Sequence, residues 1–145
     1  MIALLQRVTS ASVTVDDEII GAIDRGLLVF VAVCRDDTER DIARLAERIL
    51  GYRVFPDASQ RMNRSVADET LGLLLVPQFT LAADTNKGMR ASFTKAADPA
   101  VGEVYFERLV STCKLSLETV ATGQFGADMQ VQLVNDGPVT FWLET

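Results

Sequence analysis

The segment that most restricts the fold is the unbroken apolar run opened by Gly26 and carried by Leu27, Leu28, Val29, Phe30, Val31, Ala32 and Val33. It is rich in β-branched and aromatic residues and shows no polar alternation, as expected of a strand covered on both faces. Such a strand has to be central, with further elements layered on each side. It is also the longest apolar run, and it is too short to cross a bilayer as a helix. Residues Met1 to Arg7 lack a charged start followed by an apolar stretch, so no leader segment is expected and a soluble, cytoplasmic protein is.

Around this run the elements follow from spacing. Ser12, Val13, Thr14 and Val15 alternate before the turn residues Asp16 and Asp17, and Ile19 to Ile23 follow, which predicts a hairpin. Thr38 with Asp41 three residues on is a capping-box pattern, and Ile42, Leu45, Ala46, Ile49 and Leu50 recur at helical spacing. A first helix is predicted over Thr38 to Leu50. Tyr52 to Phe55 reads as a short strand, and Pro56 to Thr70 as a polar loop anchored by Met62 and Val66, a candidate functional segment.

Leu71 to Val76 is a further apolar strand, and Pro77, which lacks an N–H, should end its ladder and bend the chain. Asp98 followed by Pro99 marks a second helix start, with Val101, Val104, Tyr105, Leu109 and Cys113 on one face and an end near Leu117. At the C-terminus Met129, Val131 and Leu133 alternate with polar neighbours. The turn residues Asn135, Asp136, Gly137 and Pro138 follow, and then Val139, Phe141 and Leu143 alternate again, which predicts strand, turn, strand. With 48% hydrophobic and 23% charged residues and no internal repeat, the chain is expected to form one α+β domain over residues 1–145, dominated by antiparallel strands with two helices.

Several chemistries are excluded by what the chain lacks. It contains no histidine, which removes Ser-His-Asp and Cys-His nucleophile systems and the usual His-bearing zinc sites. Cys34 and Cys113 stand far apart, so neither a disulfide framework nor a metal site is suggested, and buried free thiols are expected. A thiol enzyme using Cys34 would need a depressed pKa, and only Arg35 offers a cation nearby in sequence. The net charge of −6 argues against holding nucleic acid by broad phosphate neutralisation. A grip on a short nucleic-acid end by a few local cations remains compatible with it.

Two segments place polar groups at strand exits: Pro77-Gln78-Phe79-Thr80-Leu81 and Asn135-Asp136-Gly137-Pro138-Val139-Thr140. Their bland readings are a strand terminus and an ordinary turn. At these residues the chain resembles the D-aminoacyl-tRNA deacylase (D-tyrosyl-tRNA deacylase) family, whose signatures are Ser-Gln-x-Thr near the middle and Asn-x-Gly-Pro-x-Thr near the C-terminus. The resemblance runs the length of the chain. It takes in Gln6-Arg7-Val8, Ala11-Ser12-Val13, Gly26 to Val33, Gly51-Tyr52-Arg53, Arg61-Met62-Asn63, Leu81-Ala82-Ala83-Asp84-Thr85 and Ala127-Asp128-Met129-Gln130-Val131.

The resemblance implies a barrel-like sheet and a cofactor-free, metal-free hydrolase acting on the 3′ end of aminoacyl-tRNA, including D-aminoacyl and mischarged glycyl esters. It implies a homodimer in which a Gly-cisPro pair, here Gly137 and Pro138, enters the partner's site to select chirality, with Arg7 bracing that pair or lying at the core rim. It implies an oxyanion hole of backbone N–H groups at Gln78, Phe79 and Thr80, with water assisted by the ribose 2′-hydroxyl. Thr80 as a nucleophile would lack an adjacent base, so a positioning role is expected for it. Pro77 departs from the family serine and removes a hydroxyl, and activity is expected to be kept. Phe125 and Met129 are candidates for an adenosine pocket or for core. Arg61, Arg64, Lys87, Arg90 and Lys95 are candidates for phosphate contact or for a solvated surface. Rival readings are a sister editing enzyme with a trans Gly-Pro bond and a non-catalytic nucleic-acid or protein interaction module.

Overall fold

The computed structural model describes residues 1–86 and 88–145, so the candidate cation Lys87 lies outside the described residues. Strands β1 (Ile2–Val15), β2 (Glu18–Ile23) and β3 (Gly26–Ala32) are followed by helix α1 (Glu39–Gly51) and the short strands β4 (Phe55–Pro56) and β5 (Met62–Arg64). Then come β6 (Gly72–Pro77), a 3-10 turn over Phe79–Ala82, α2 (Pro99–Lys114), β7 (Val120–Thr122) and β8 (Gln130–Glu144).

The main sheet runs β2-β1-β3-β6-β7, with β8 paired to β1. Pairs β1–β2, β1–β3 and β1–β8 are antiparallel, whereas β3–β6 and β6–β7 are parallel. The run opened by Gly26 is thus the strand on which the antiparallel and parallel halves meet, and the crossovers through α1 and α2 cover one face of it. Its residues alternate between two cores. Leu27, Val29 and Val31 join Leu73 and Leu75 under α1 and α2, while Leu28 joins Leu74, Val76, Val8 and Val13 in a second cluster. The sheet curls until β2 approaches β7, where a Cβ added at Gly21 would lie 2.5 Å from the Thr122 carbonyl oxygen. The result is a nearly closed barrel flanked by two helices.

Most of the predicted elements form, with informative departures. The hairpin turn takes positive φ at Asp16 (49°) and Asp17 (64°), the mirror-image turn whose twist suits adjoining strands. Thr38 opens α1 as expected, its N–H and hydroxyl both donating to the Asp41 carboxylate at 2.8 and 2.7 Å. Helix α2 ends at Lys114, short of Leu117, and its buried face differs from the predicted one. Gly102, Phe106, Leu109, Val110 and Cys113 point inward, while Val101 and Val104 are exposed. Glycine at 102 conceals the true stripe in the sequence because it carries no apolar side chain. Met62 is exposed and does not anchor its loop, whereas Val66 is fully buried.

The C-terminal segment is not two strands separated by a turn but one strand, β8. Both halves pair with the same partner, β1, with Gln6 opposite Thr140 and Val8 opposite Asn135. The residues between, Asp136 to Val139, loop out opposite Arg7. Before the loop Val131 and Leu133 pack in the inner barrel cluster; after it Val139 and Phe141 pack on the helix side. The turn-forming composition therefore produces a bulge that carries the strand from one core to the other.

Candidate active site

The parallel strands β3 and β6 end side by side, and a pocket of about 420 Å³ opens beyond them. Val31, Val76, Pro77, Gln78 and Phe79 form one wall, Pro99, Gly102 and Phe106 of α2 another, and Phe125 and Met129 a third. Carboxyl ends of parallel strands are where α/β sheets leave such crevices, because the chain has to turn away there.

Pro77 does not break the ladder on the β3 side. In a parallel strand successive N–H groups face opposite neighbours, and the N–H that faces β3 here belongs to Gln78, which donates to the Val31 carbonyl at 2.7 Å. The direction in which proline lacks a donor faces the β7 side, where Gly123 lies beside the proline ring. This changes the expected donor set, because the Gln78 N–H is already committed. Among the described residues neither the Phe79 nor the Thr80 N–H donates to a protein acceptor; both open the 3-10 turn, whose first donors have no partner within it. The side chains of the first signature bind each other: Gln78 Nε2 donates to Thr80 Oγ1 at 2.5 Å. Thr80 is exposed, no base adjoins its hydroxyl, and it is held as an acceptor.

Gly137 and Pro138 do not line this pocket. They are exposed at the tip of the β8 bulge, joined by a cis peptide bond. The bulge is clamped from within the second signature. Asn135 Nδ2 donates to Thr140 Oγ1 at 2.8 Å, and Asn135 Oδ1 accepts from the Val139 N–H at 2.9 Å. Arg7 holds it from β1: Nε donates to the Asp136 carbonyl at 3.0 Å and lies 3.3 Å from the Asp136 carboxylate, while Nη1 donates to the Val54 carbonyl at 2.6 Å. Arg7 therefore braces the residue before the Gly-Pro pair rather than the pair's own carbonyls. The bulge and the pocket are two separate groups within one chain.

The candidate cations are dispersed. Arg64 pairs with Glu69 at 2.8 Å, Arg61 is exposed on the β4–β5 hairpin, and Lys95 lines a neighbouring groove with Arg35 and Trp142. None of Arg61, Arg64, Arg90 or Lys95 lines the 420 Å³ pocket. Both thiols are disfavoured as nucleophiles. Burial pushes the Cys113 thiol up to about 12, and burial together with the carboxylate of Asp37 raises that of Cys34. A thiol enzyme needs the opposite shift.

Phe125 and Met129 both line the pocket and are half-buried. The α2 contribution was not legible in the sequence, since Phe106 looks like any core residue. One signal was present in Gly102, a residue costing about 1 kcal/mol inside a helix relative to alanine, which hints at a close approach. A Cβ there would lie 3.2 Å from Phe125 Cζ. No helix among the described residues is long and apolar enough to cross a membrane.

Comparison with known proteins gives one consistent picture. Residues 4–144 match the family model described as D-Tyr-tRNA(Tyr) deacylase. The D-aminoacyl-tRNA deacylase of Thioalkalivibrio sulfidiphilus is 63% identical over 144 residues, spanning 99% of this chain and 97% of that protein. That of Pseudomonas aeruginosa is 59% identical over 145 residues and the full length of both. Among solved structures, one described as c-Myc DNA Unwinding Element Binding Protein is similar with a TM-score of 0.96 and 38% identity, covering 100% of this chain and 99% of that one. A structure described as "a probable eukaryotic D-amino acid tRNA deacylase" superposes with a TM-score of 0.88 at 17% identity over 98% of this chain and 97% of its own, a likeness of fold alone.

Proposed function

We propose, for a chain that belongs to the D-Tyr-tRNA(Tyr) deacylase family, the mechanism below for its activity as a D-aminoacyl-tRNA deacylase, a hydrolase of ester bonds. The observation that carries it is the pair of N–H groups at Phe79 and Thr80 that have no acceptor among the described residues, Phe79 itself lining an apolar pocket, in a protein without histidine.

The terminal adenosine of the tRNA occupies the pocket between Phe125, Met129 and the β6 exit. This brings the ester carbonyl to the Phe79 and Thr80 N–H groups, which stabilise the oxyanion as it forms. Donors of this kind cost no reorganisation and are each worth about 3 kcal/mol of transition-state stabilisation. The attacking water takes its assistance from the substrate's own 2′-hydroxyl, so no protein base, metal or cofactor is invoked. Thr80 and Gln78 hold the geometry of the donors.

Chirality is read by Gly137 and Pro138 of a second copy of the chain in a homodimer. Their carbonyl oxygens accept from the substrate α-ammonium group and so fix the direction of the Cα substituents. A D side chain then points to open space, glycine has none to place, and an L side chain meets the backbone. Discrimination by clash rejects strongly while tolerating many D side chains. Glycyl-tRNA is accordingly a substrate, and the setting is the cytoplasm, where tRNA is charged.

The test is hydrolysis of D-tyrosyl-tRNA, L-tyrosyl-tRNA and glycyl-tRNA by the purified protein, alongside D-tyrosyl-tRNA lacking the terminal 2′-hydroxyl. Release from the D and glycyl substrates, sparing of the L substrate and loss without the hydroxyl are expected. Hydrolysis of the deoxy substrate at an undiminished rate would overturn the assisted-water step. The second reading, a non-catalytic nucleic-acid-binding module, is suggested by the description of the similar solved protein as a DNA-element binder. Binding of tRNA or DNA with no deacylation would favour it.

A further inference from the structure

Beside the pocket mouth stand two large aromatic rings that the fold leaves half open. Phe79 is 55% exposed and Phe93 is 43% exposed, yet their ring centroids lie 5.1 Å apart at an interplanar angle of 58°. Burying a phenylalanine is among the larger apolar gains available to a chain of this size. Within one chain the fold sets these two rings against each other and leaves both half open.

Phe93 is not on a loose end. Asp84 and Ser92 exchange backbone hydrogen bonds of 2.7 and 3.0 Å, closing the loop that precedes it. Ala96 N–H donates to the Phe93 carbonyl, and Ala97 N–H returns the chain to Val33, each at 3.0 Å. The ring is presented by a braced backbone.

We propose that Phe79 and Phe93 form a stacking platform for the penultimate base of the single-stranded 3′ end of the tRNA. The inference rests on the reading that the adenosine enters the adjoining pocket, of which Phe79 is itself a wall. A strand whose last nucleotide sits in that pocket and leaves on the side of Phe79 brings its next base to the open faces of the pair. Stacking suits this task, because every base offers a π face and an end common to all tRNAs needs no sequence readout. The charges agree: Arg90 and Lys95 flank Phe93 in the chain, and neither makes an ion pair among the described residues. The carboxylate of Asp84 in the same loop accepts from Asn86, and the charge of Lys95 acts on it as well. In a chain of net charge −6, two cations close to Phe93 in sequence, with no ion pair among the described residues, are available to a backbone phosphate next to a stacked base.

The experiment compares the intact protein with Phe93→Leu, which keeps an apolar side chain but removes the π face, and with Phe93→Trp, which enlarges it. Each is assayed on D-tyrosyl-tRNA and on D-tyrosyl-adenosine, which lacks the penultimate base. The leucine variant is expected to raise KM for the tRNA about tenfold, within the range of base–aromatic stacking, with kcat little changed. The loss should be confined to the substrate that carries the base, and tryptophan should restore it. A second readout is an uncharged acceptor-stem RNA with 2-aminopurine at the penultimate position, whose fluorescence should be quenched on binding the wild type and not the leucine variant. Equal losses on both substrates would make Phe93 a support for Phe79 and overturn the proposal. So would an unchanged KM, or a shift in sedimentation showing that the ring packs against a second copy of the chain. If the wild type hydrolyses neither D substrate, the deacylation mechanism fails, and the quenching still decides whether the base stacks.

Discussion

Asn135 and Thr140, five residues apart on β8, are joined by a 2.8 Å hydrogen bond from Nδ2 to Oγ1 across the bulge that holds Gly137 and Pro138. The same amide accepts from the Val139 N–H at 2.9 Å, so one side chain closes the bulge at two points. Replacing Asn135 by Ala leaves a half-buried backbone donor without a partner and frees the Thr140 hydroxyl. At about 1 kcal/mol for each lost bond, a loss of about 2 kcal/mol in stability is expected by urea denaturation. Because the bulge is then held by Arg7 alone, kcat/KM for D-tyrosyl-tRNA should fall about tenfold or more.

The 2.5 Å bond from Gln78 Nε2 makes the Thr80 hydroxyl an acceptor, and a substitution separates a positioning threonine from a nucleophilic one. Thr80→Val keeps the shape and the backbone N–H and removes the hydroxyl. Activity on D-tyrosyl-tRNA is expected to fall by less than about tenfold, since only a neutral hydrogen bond is lost. A fall of a thousandfold or more would make the hydroxyl the attacking group.

Gly26 and Gly72 face each other in the parallel pairing of β3 and β6, and a Cβ at Gly26 would sit 1.9 Å from the Gly72 carbonyl oxygen. Neither partner is a flexible side chain. Gly26→Ala is therefore expected to cost about 3 kcal/mol or more, beyond ordinary overpacking, and to lower the Tm by many degrees in a thermal scan.

Cys113 supplies a pH dependence. Its thiol is pushed up to about 12 by burial, so the folded state keeps a proton that the unfolded chain releases near the ordinary value of 9.0. The stability this contributes is fully present below that value and is lost as pH rises towards the folded one, with a slope of at most about 1.4 kcal/mol per pH unit. Urea midpoints between pH 8 and 11 should fall more steeply for the wild type than for Cys113→Ala. For the same reason Cys113 should resist alkylation at pH 8 until the chain is unfolded.

Local periodicity and punctuation were enough to read the central strand from Gly26, the Asp16-Asp17 hairpin, the Thr38 cap and the Asp98-Pro99 helix start, because each is decided by residues within a few positions of one another. Chemistry was constrained in the same way: a chain without histidine cannot run a Ser-His or Cys-His nucleophile system. Tertiary structure alone decided the rest. The face of α2 turned on Gly102, whose packing against Phe125 no helical pattern records. The Asn135 to Pro138 segment became a bulge instead of a turn between two strands because β1 is long enough to pair with the chain on both sides of it. The Gln78 N–H was removed from the donor set by Val31, a residue 47 positions earlier in sequence. Sequence spacing determines the conformation of a segment, but which donors stay free depends on partners brought in from far along the chain.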